Sequence, residues 1–172
     1  MDPYRELLGH LSESAVRFLV VGVTGVNYYA LPGQTLFATE DLDLFLPLDP
    51  ANLLGTWKVC EDLGFTLTSS GEPLERPLDL LLAERVVERG AAISGSRTSG
   101  ERVDLTLVMA GTRFEEVWER KRIFVVDGID VPVAPLGAIV ESKRRAGRKK
   151  DLLFLVSHEE ILEELLGGEQ ED

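Results

Sequence analysis

One cysteine, Cys60, stands in the 172 residues. A lone thiol excludes an internal disulfide and any cysteine-rich metal site. Cys60 falls on the apolar side of an expected helix and reads as core. No apolar run approaches the roughly 20 residues that a membrane span needs. The opening MDPYRELLGH has neither the basic nor the apolar region of a signal peptide. There are no repeats, no low-complexity linker and no composition shift that would mark a boundary. Positive charge is scarce as well. With 18 Lys and Arg against 30 Asp and Glu, the net charge is −12. That argues against wrapping nucleic acid non-specifically, which takes a broad basic surface. These absences point to a cytoplasmic, non-membrane chain.

What is present suits a folded chain: 44% hydrophobic and 28% charged residues. The length predicts a single domain over 1–172, with a helical C-terminal segment at about 135–166. The charge is uneven. KRRAGRKK (143–150) holds six of the basic residues, while 159–172 holds seven acids and no Lys or Arg. The acidic end reads as solvated.

Periodicity predicts mixed order. Asp2-Pro3 opens a helix through Tyr4, Leu7, Leu8 and Leu11. RFLVVG (17–22) reads as a buried strand ending in glycine, followed by a short helix through Val26, Tyr29 and Ala30. DLDLFL (41–46) is a second strand. Asp49-Pro50 starts a helix with Leu53, Leu54, Trp57 and Cys60 on one face, and GFTLT (64–68) is a third strand. A helix is expected over 77–89 from Pro77, then a Gly- and Ser-rich turn, then a strand over Arg102–Met109. Phe114, Val117 and Trp118 suggest a short helix. Asp127-Gly128 joins two strands as a hairpin. From Leu136 the pattern is helical, interrupted near Gly147. The expected class is mixed α/β: a central mixed sheet with flanking helices.

TEDLDLFL (39–46) poses the chemical question. Residues i and i+2 of a strand share a face. Asp41 and Asp43 therefore point one way, and Leu42, Leu44 and Leu46 the other. The leucines explain the strand but not the acids. In RVDLTLV, Asp104 shares a face with Thr106, opposite Val103, Leu105 and Leu107. Neighbouring strands would converge three carboxylates, which repel unless a cation joins them. An oxygen-only ligand set suits Mg²⁺, which also takes ligands from substrate phosphates. Two such ions support in-line displacement at phosphorus. The plainer alternative puts Asp41 and Asp43 on a solvated face, with Asp104 elsewhere.

Three further features bear on that choice. Gly22 ends a buried strand before a helix, where backbone N–H groups receive anions, or it is simply a turn. Thr39 either orients a phosphate or opens the strand. Lys143 continues the apolar stripe of Leu136, Ile139 and Val140, so it either snorkels outward or meets an anion.

In this order, a strand ending in glycine, T-x-D-x-D and a third aspartate, the chain resembles the nucleotidyltransferase superfamily, whose fold is shared with DNA polymerase β. The nearer likeness is to small bacterial nucleotidyltransferase-like proteins related to abortive-infection toxins, which carry a lysine helix and a G-R-x-K-D segment. Here that region reads APLGAIVESKRRAGRKKDLLFL (134–155). The resemblance spans roughly 15–160. It implies Asp41, Asp43 and Asp104 as catalytic and Mg²⁺-binding residues, with Asp104 acting as or assisting the base. It implies Gly22, Val23, Thr39, Lys143 and Arg148 as nucleotide-binding. Lys149 and Asp151 fall in the same segment, with Asp151 as a helix cap and Arg148 alternatively in a surface pair with an acid. The expected substrate is an NTP, and the acceptor is tRNA, a protein or a cationic small molecule. A cognate protein partner is a further candidate. The chain departs from the pattern at Val23, where the family has a second glycine or a serine. A binding module of the same fold, weak or inactive in catalysis, is therefore the alternative, and a plain scaffold ranks last.

Overall fold

The structure, a computed structural model, describes residues 3–30 and 41–171. Thr39 and Asp2 lie outside the described residues. The helices are α1 (Arg5–Glu13), α2 (Gly22–Tyr28), α3 (Pro50–Asp62), α4 (Leu80–Arg89), α5 (Phe114–Glu119), α6 (Leu136–Ala146), α7 (Lys149–Ser157) and α8 (Glu159–Glu171). The strands are β1 (Leu19–Val21), β2 (Asp41–Phe45), β3 (Thr66–Ser69), β4 (Glu72–Pro73), β5 (Ile93–Ser96), β6 (Arg102–Thr106), β7 (Arg122–Val126) and β8 (Ile129–Val133). They form one mixed sheet in the order β4-β3-β5-β6-β2-β1-β8-β7. The mixed α/β architecture expected from the sequence is the one observed. None of the described helices is long and apolar enough to cross a membrane.

The central strands are short, and their aliphatic positions are buried. Leu19, Val20, Leu42, Leu44, Val103 and Val133 are sealed from solvent. β1 runs antiparallel to β2 and parallel to β8, and β2 runs parallel to β6. Helices α1, α3 and α4 pack as one group, and α2, α6, α7 and α8 as another. The leucine face of β2 is fully buried, whereas Asp41 and Asp43 on its other face are only partly so.

Local chemistry sets the boundaries. Asp49 accepts from the backbone N–H of Ala51 at 3.0 Å, and Pro50 takes the first turn of α3. Tyr4 anchors the start of α1: its hydroxyl donates to the Arg102 carbonyl at 2.9 Å and accepts from the Arg102 N–H at 3.1 Å. The β7–β8 hairpin turns on Asp127 and Gly128, both at positive φ, as a two-residue turn of right-handed twist requires.

Three expectations need correction. The helix expected from Pro77 begins at Leu80, because the Asp79 side chain accepts from the Leu82 N–H at 2.9 Å and starts it there. The stretch read as a Gly- and Ser-rich turn contains strand β5, paired with β3 and β6. The strand expected to reach Met109 ends at Thr106.

Candidate active site

The register of four strands builds the site. Asp43 lies opposite Val21 of β1 on one side and Asp104 of β6 on the other. Asp104 in turn lies opposite Ser94 of β5. One line across the sheet therefore carries Ser94, Asp104, Asp43 and the end of β1, with Asp41 two residues from Asp43 on the same face. The strand adjacency needed for Asp43 and Asp104 to meet is present.

Asp104 is held by one oxygen. Its Oδ1 accepts from the Ser94 hydroxyl at 2.7 Å and meets the Arg102 guanidinium at 3.4 Å. Asp43 makes no hydrogen bond to any described residue. Burial pushes its carboxyl up to about 6, helped by the charges of Asp104 and Asp41 and opposed by Lys143 and Lys150. A half-buried acid with no hydrogen-bond donor among the described residues, beside a second acid, is costly unless a cation or proton serves it. At Asp41 the backbone is fixed: its carbonyl accepts from the Thr24 hydroxyl at 2.8 Å.

Gly22 is dictated by this arrangement. Its φ is +67°, which favours glycine. A Cβ there would also collide with the Asp43 carboxylate, coming within 2.9 Å of Cγ. Val23, next in the chain, is half-buried, packs on the core and borders the cleft.

A cleft of about 760 Å³ opens over these residues. Its sheet wall carries Asp41, Asp43, Asp104 and Ser94, and its helical wall carries Lys143, Arg148, Lys150 and Phe154. A second cleft of about 780 Å³, between α1 and the β7–β8 turn, holds none of these groups. Facing acidic and basic walls can receive a polyanion together with a cation.

Lys143 reaches an acid, though not one of the three on the sheet. Its ammonium meets Asp151 Oδ1 at 3.4 Å and lies 4.9 Å from the Phe154 ring centre. Asp151 is 1% exposed and also accepts from Arg148 Nε at 2.7 Å. Burial works against this carboxylate, but the Arg148 hydrogen bond and Lys143 hold it below its ordinary value. Asp151 is thus a buried ion-pair hub and not a helix cap; the residue at the cap of α7 is Arg148, whose side chain makes no capping bond. Arg148 pairs with an acid of the same segment, but that acid is buried, so the contact is not the expected surface pair. In the G-R-x-K-D segment it is Lys150, not Lys149, that borders the cleft. Ser94 has no signal in the sequence, since cross-strand register places it, whereas Lys150 is the lysine of the G-R-x-K-D segment itself.

Among the described residues, no group of three His, Cys, Asp or Glu side chains is arranged to hold a metal ion by itself. The neighbouring pair Asp43 and Asp104, with Asp41 alongside, offers only hard oxygen donors.

No protein-family model matches the chain, and no curated protein matches its sequence. Among solved structures, an antigenic nucleotidyltransferase-like protein from Paracoccidioides brasiliensis aligns with a TM-score of 0.48 at 16% identity, covering 88% of this chain and 74% of that one.

Proposed function

We propose that the chain has the polymerase β-like nucleotidyltransferase fold and is a Mg²⁺-dependent nucleotidyltransferase, moving a nucleoside monophosphate from an NTP to a hydroxyl acceptor. The observation that carries this is the in-register pair Asp43–Asp104 facing Lys143, Lys150 and Arg148 across one cleft. Mg²⁺ needs few protein ligands, because it keeps waters and takes phosphate oxygens. Two or three carboxylates without a closed cage therefore fit it. Its chemistry, when bound, is to offset the repulsion between carboxylates and phosphates and to polarise the phosphoryl group.

The chain's own residues supply the rest. Asp41 and Asp43 present oxygens from one strand face. Gly22 leaves room beside Asp43, and the N–H groups at the start of α2 are free of helical partners, as at every helix start. Lys143, Lys150 and Arg148 draw the polyphosphate against the helical wall. Asp104 keeps Oδ1 on Ser94 and Arg102, so Oδ2 takes the proton of the acceptor hydroxyl. The acceptor oxygen then bonds to the α-phosphorus as the bond to pyrophosphate breaks, and pyrophosphate departs.

Val23 favours a second reading, nucleotide binding without turnover, because it places an aliphatic side chain at the cleft edge where a hydroxyl would help hold phosphate. Pyrophosphate release from each NTP with Mg²⁺ separates the two. Release that disappears in Asp104→Ala supports transfer. Binding without release supports the sensor. The absence of both removes the site.

A further inference from the structure

Helix α7 is apolar on two sides. Its inner side supplies Asp151 and Phe154 to the cleft, and Leu155 packs against the core. Its outer side exposes Leu152 (46%), Leu153 (64%) and Val156 (73%), and Ile161 of α8 is 38% exposed. Spacings of three and four residues put Leu152, Leu153 and Val156 on one stripe. A stripe this exposed on a helix whose opposite side is already packed is not needed to hold the fold.

The ends of the stripe differ in charge. Lys149 precedes it, four residues before Leu153, and Glu159 and Glu160 follow it, all three exposed. None of the three is in an ion pair with a described residue. Two copies of the stripe laid antiparallel bring the cationic end of each against the acidic end of the other, with Leu153 and Val156 buried between them. A parallel arrangement would set like charges together. A basic peptide would satisfy only the acidic end and leave Lys149 opposed. The surface is complementary to itself about a two-fold axis, which is the condition for an isologous contact.

We infer that the outer face of α7 is a homodimer interface whose occupant is a second copy of this chain. Two helices of this length bury less than a standard interface, so the dimer is weak and depends on concentration. Since the inner side of α7 forms the helical wall of the cleft, the dimer braces that wall in both copies. The inference stands on the stripe and its charges, whichever chemistry the cleft performs.

Sedimentation of the full chain, from micromolar to millimolar concentration, tests it. The wild type is expected to pass from monomer to dimer over that range. Leu153→Glu should weaken dimerisation by about tenfold or more, with an unchanged circular dichroism spectrum. Lys149→Glu and Glu160→Lys should each weaken it, and the double variant should recover it, since the reversed charges again meet. A wild type monomeric throughout, a dimer indifferent to Leu153→Glu, or a double variant no better than the singles would overturn the inference.

Discussion

Asp43 and Asp104 sit side by side in register on parallel strands, and only Asp104 has a hydrogen-bond donor among the described residues. Under the proposed chemistry the asymmetry divides their work. Asp104 is positioned by Ser94 and Arg102. Asp43 is strained by burial and like charge, so it is the group that gains most from a cation.

That strain has a sign. The Asp43 carboxyl is raised from 3.8 to about 6, so between those values the folded chain binds more protons than the unfolded chain. Without ligand, stability from this group is greatest below about 4 and falls as pH rises through about 6. Asp43→Asn should therefore stabilise the ligand-free protein at pH above 6 by roughly 1–3 kcal/mol. Urea unfolding at acidic and neutral pH checks it, with the gain confined to the higher pH.

Gly22 answers to the same carboxylate. Gly22→Ala should cost about 1–3 kcal/mol, from positive φ and from the clash with Asp43. In Asp43→Ala the clash is gone, so the same substitution should cost less there. A double-mutant cycle in urea measures the coupling, which the structure requires to be non-zero.

Asp151 is the opposite case, an acid whose charge the fold wants. Its carboxyl is held below its ordinary value, so its contribution is present at neutral pH and lost as pH falls through the acid range. Asp151→Asn should cost about 2–4 kcal/mol at neutral pH by leaving Lys143 without its partner, less whatever exposure of Arg148 screens. The wild type should lose this advantage over the variant on acid titration.

Ser94→Ala should slow pyrophosphate release by about tenfold or more, because Asp104 loses the donor that fixes Oδ1. Stability should change by no more than about 1 kcal/mol. Ser94→Thr, which keeps the hydroxyl, should retain most of the rate.

The sheet faces were legible because alternation in DLDLF and RVDLT separates acids from aliphatics without ambiguity. The hairpin at Asp127-Gly128 was legible because few other dipeptides accept two positive φ values. Strand β5 was not. Its sequence ISGS carries a single large apolar residue, and its second buried position is Gly95, where a Cβ would lie 3.0 Å from Val103 and 3.2 Å from Leu67. Close packing there selects the residue that mimics a turn. The Lys143 stripe was readable from helical spacing, but its partner Asp151 comes from the next helix. Gly22 is legible as a strand-end glycine before a helix, which suits anion binding. Its clearance for Asp43 depends on the β1–β2 register, which no local pattern encodes.

Calorimetric titration of Mg²⁺ and each NTP into the wild type and into Asp41→Ala/Asp43→Ala decides whether the acid pair takes part in holding nucleotide. Mg²⁺-dependent binding of at least one NTP to the wild type, and its loss in the double variant, is expected. Equal binding by both proteins, or binding by neither, would contradict it.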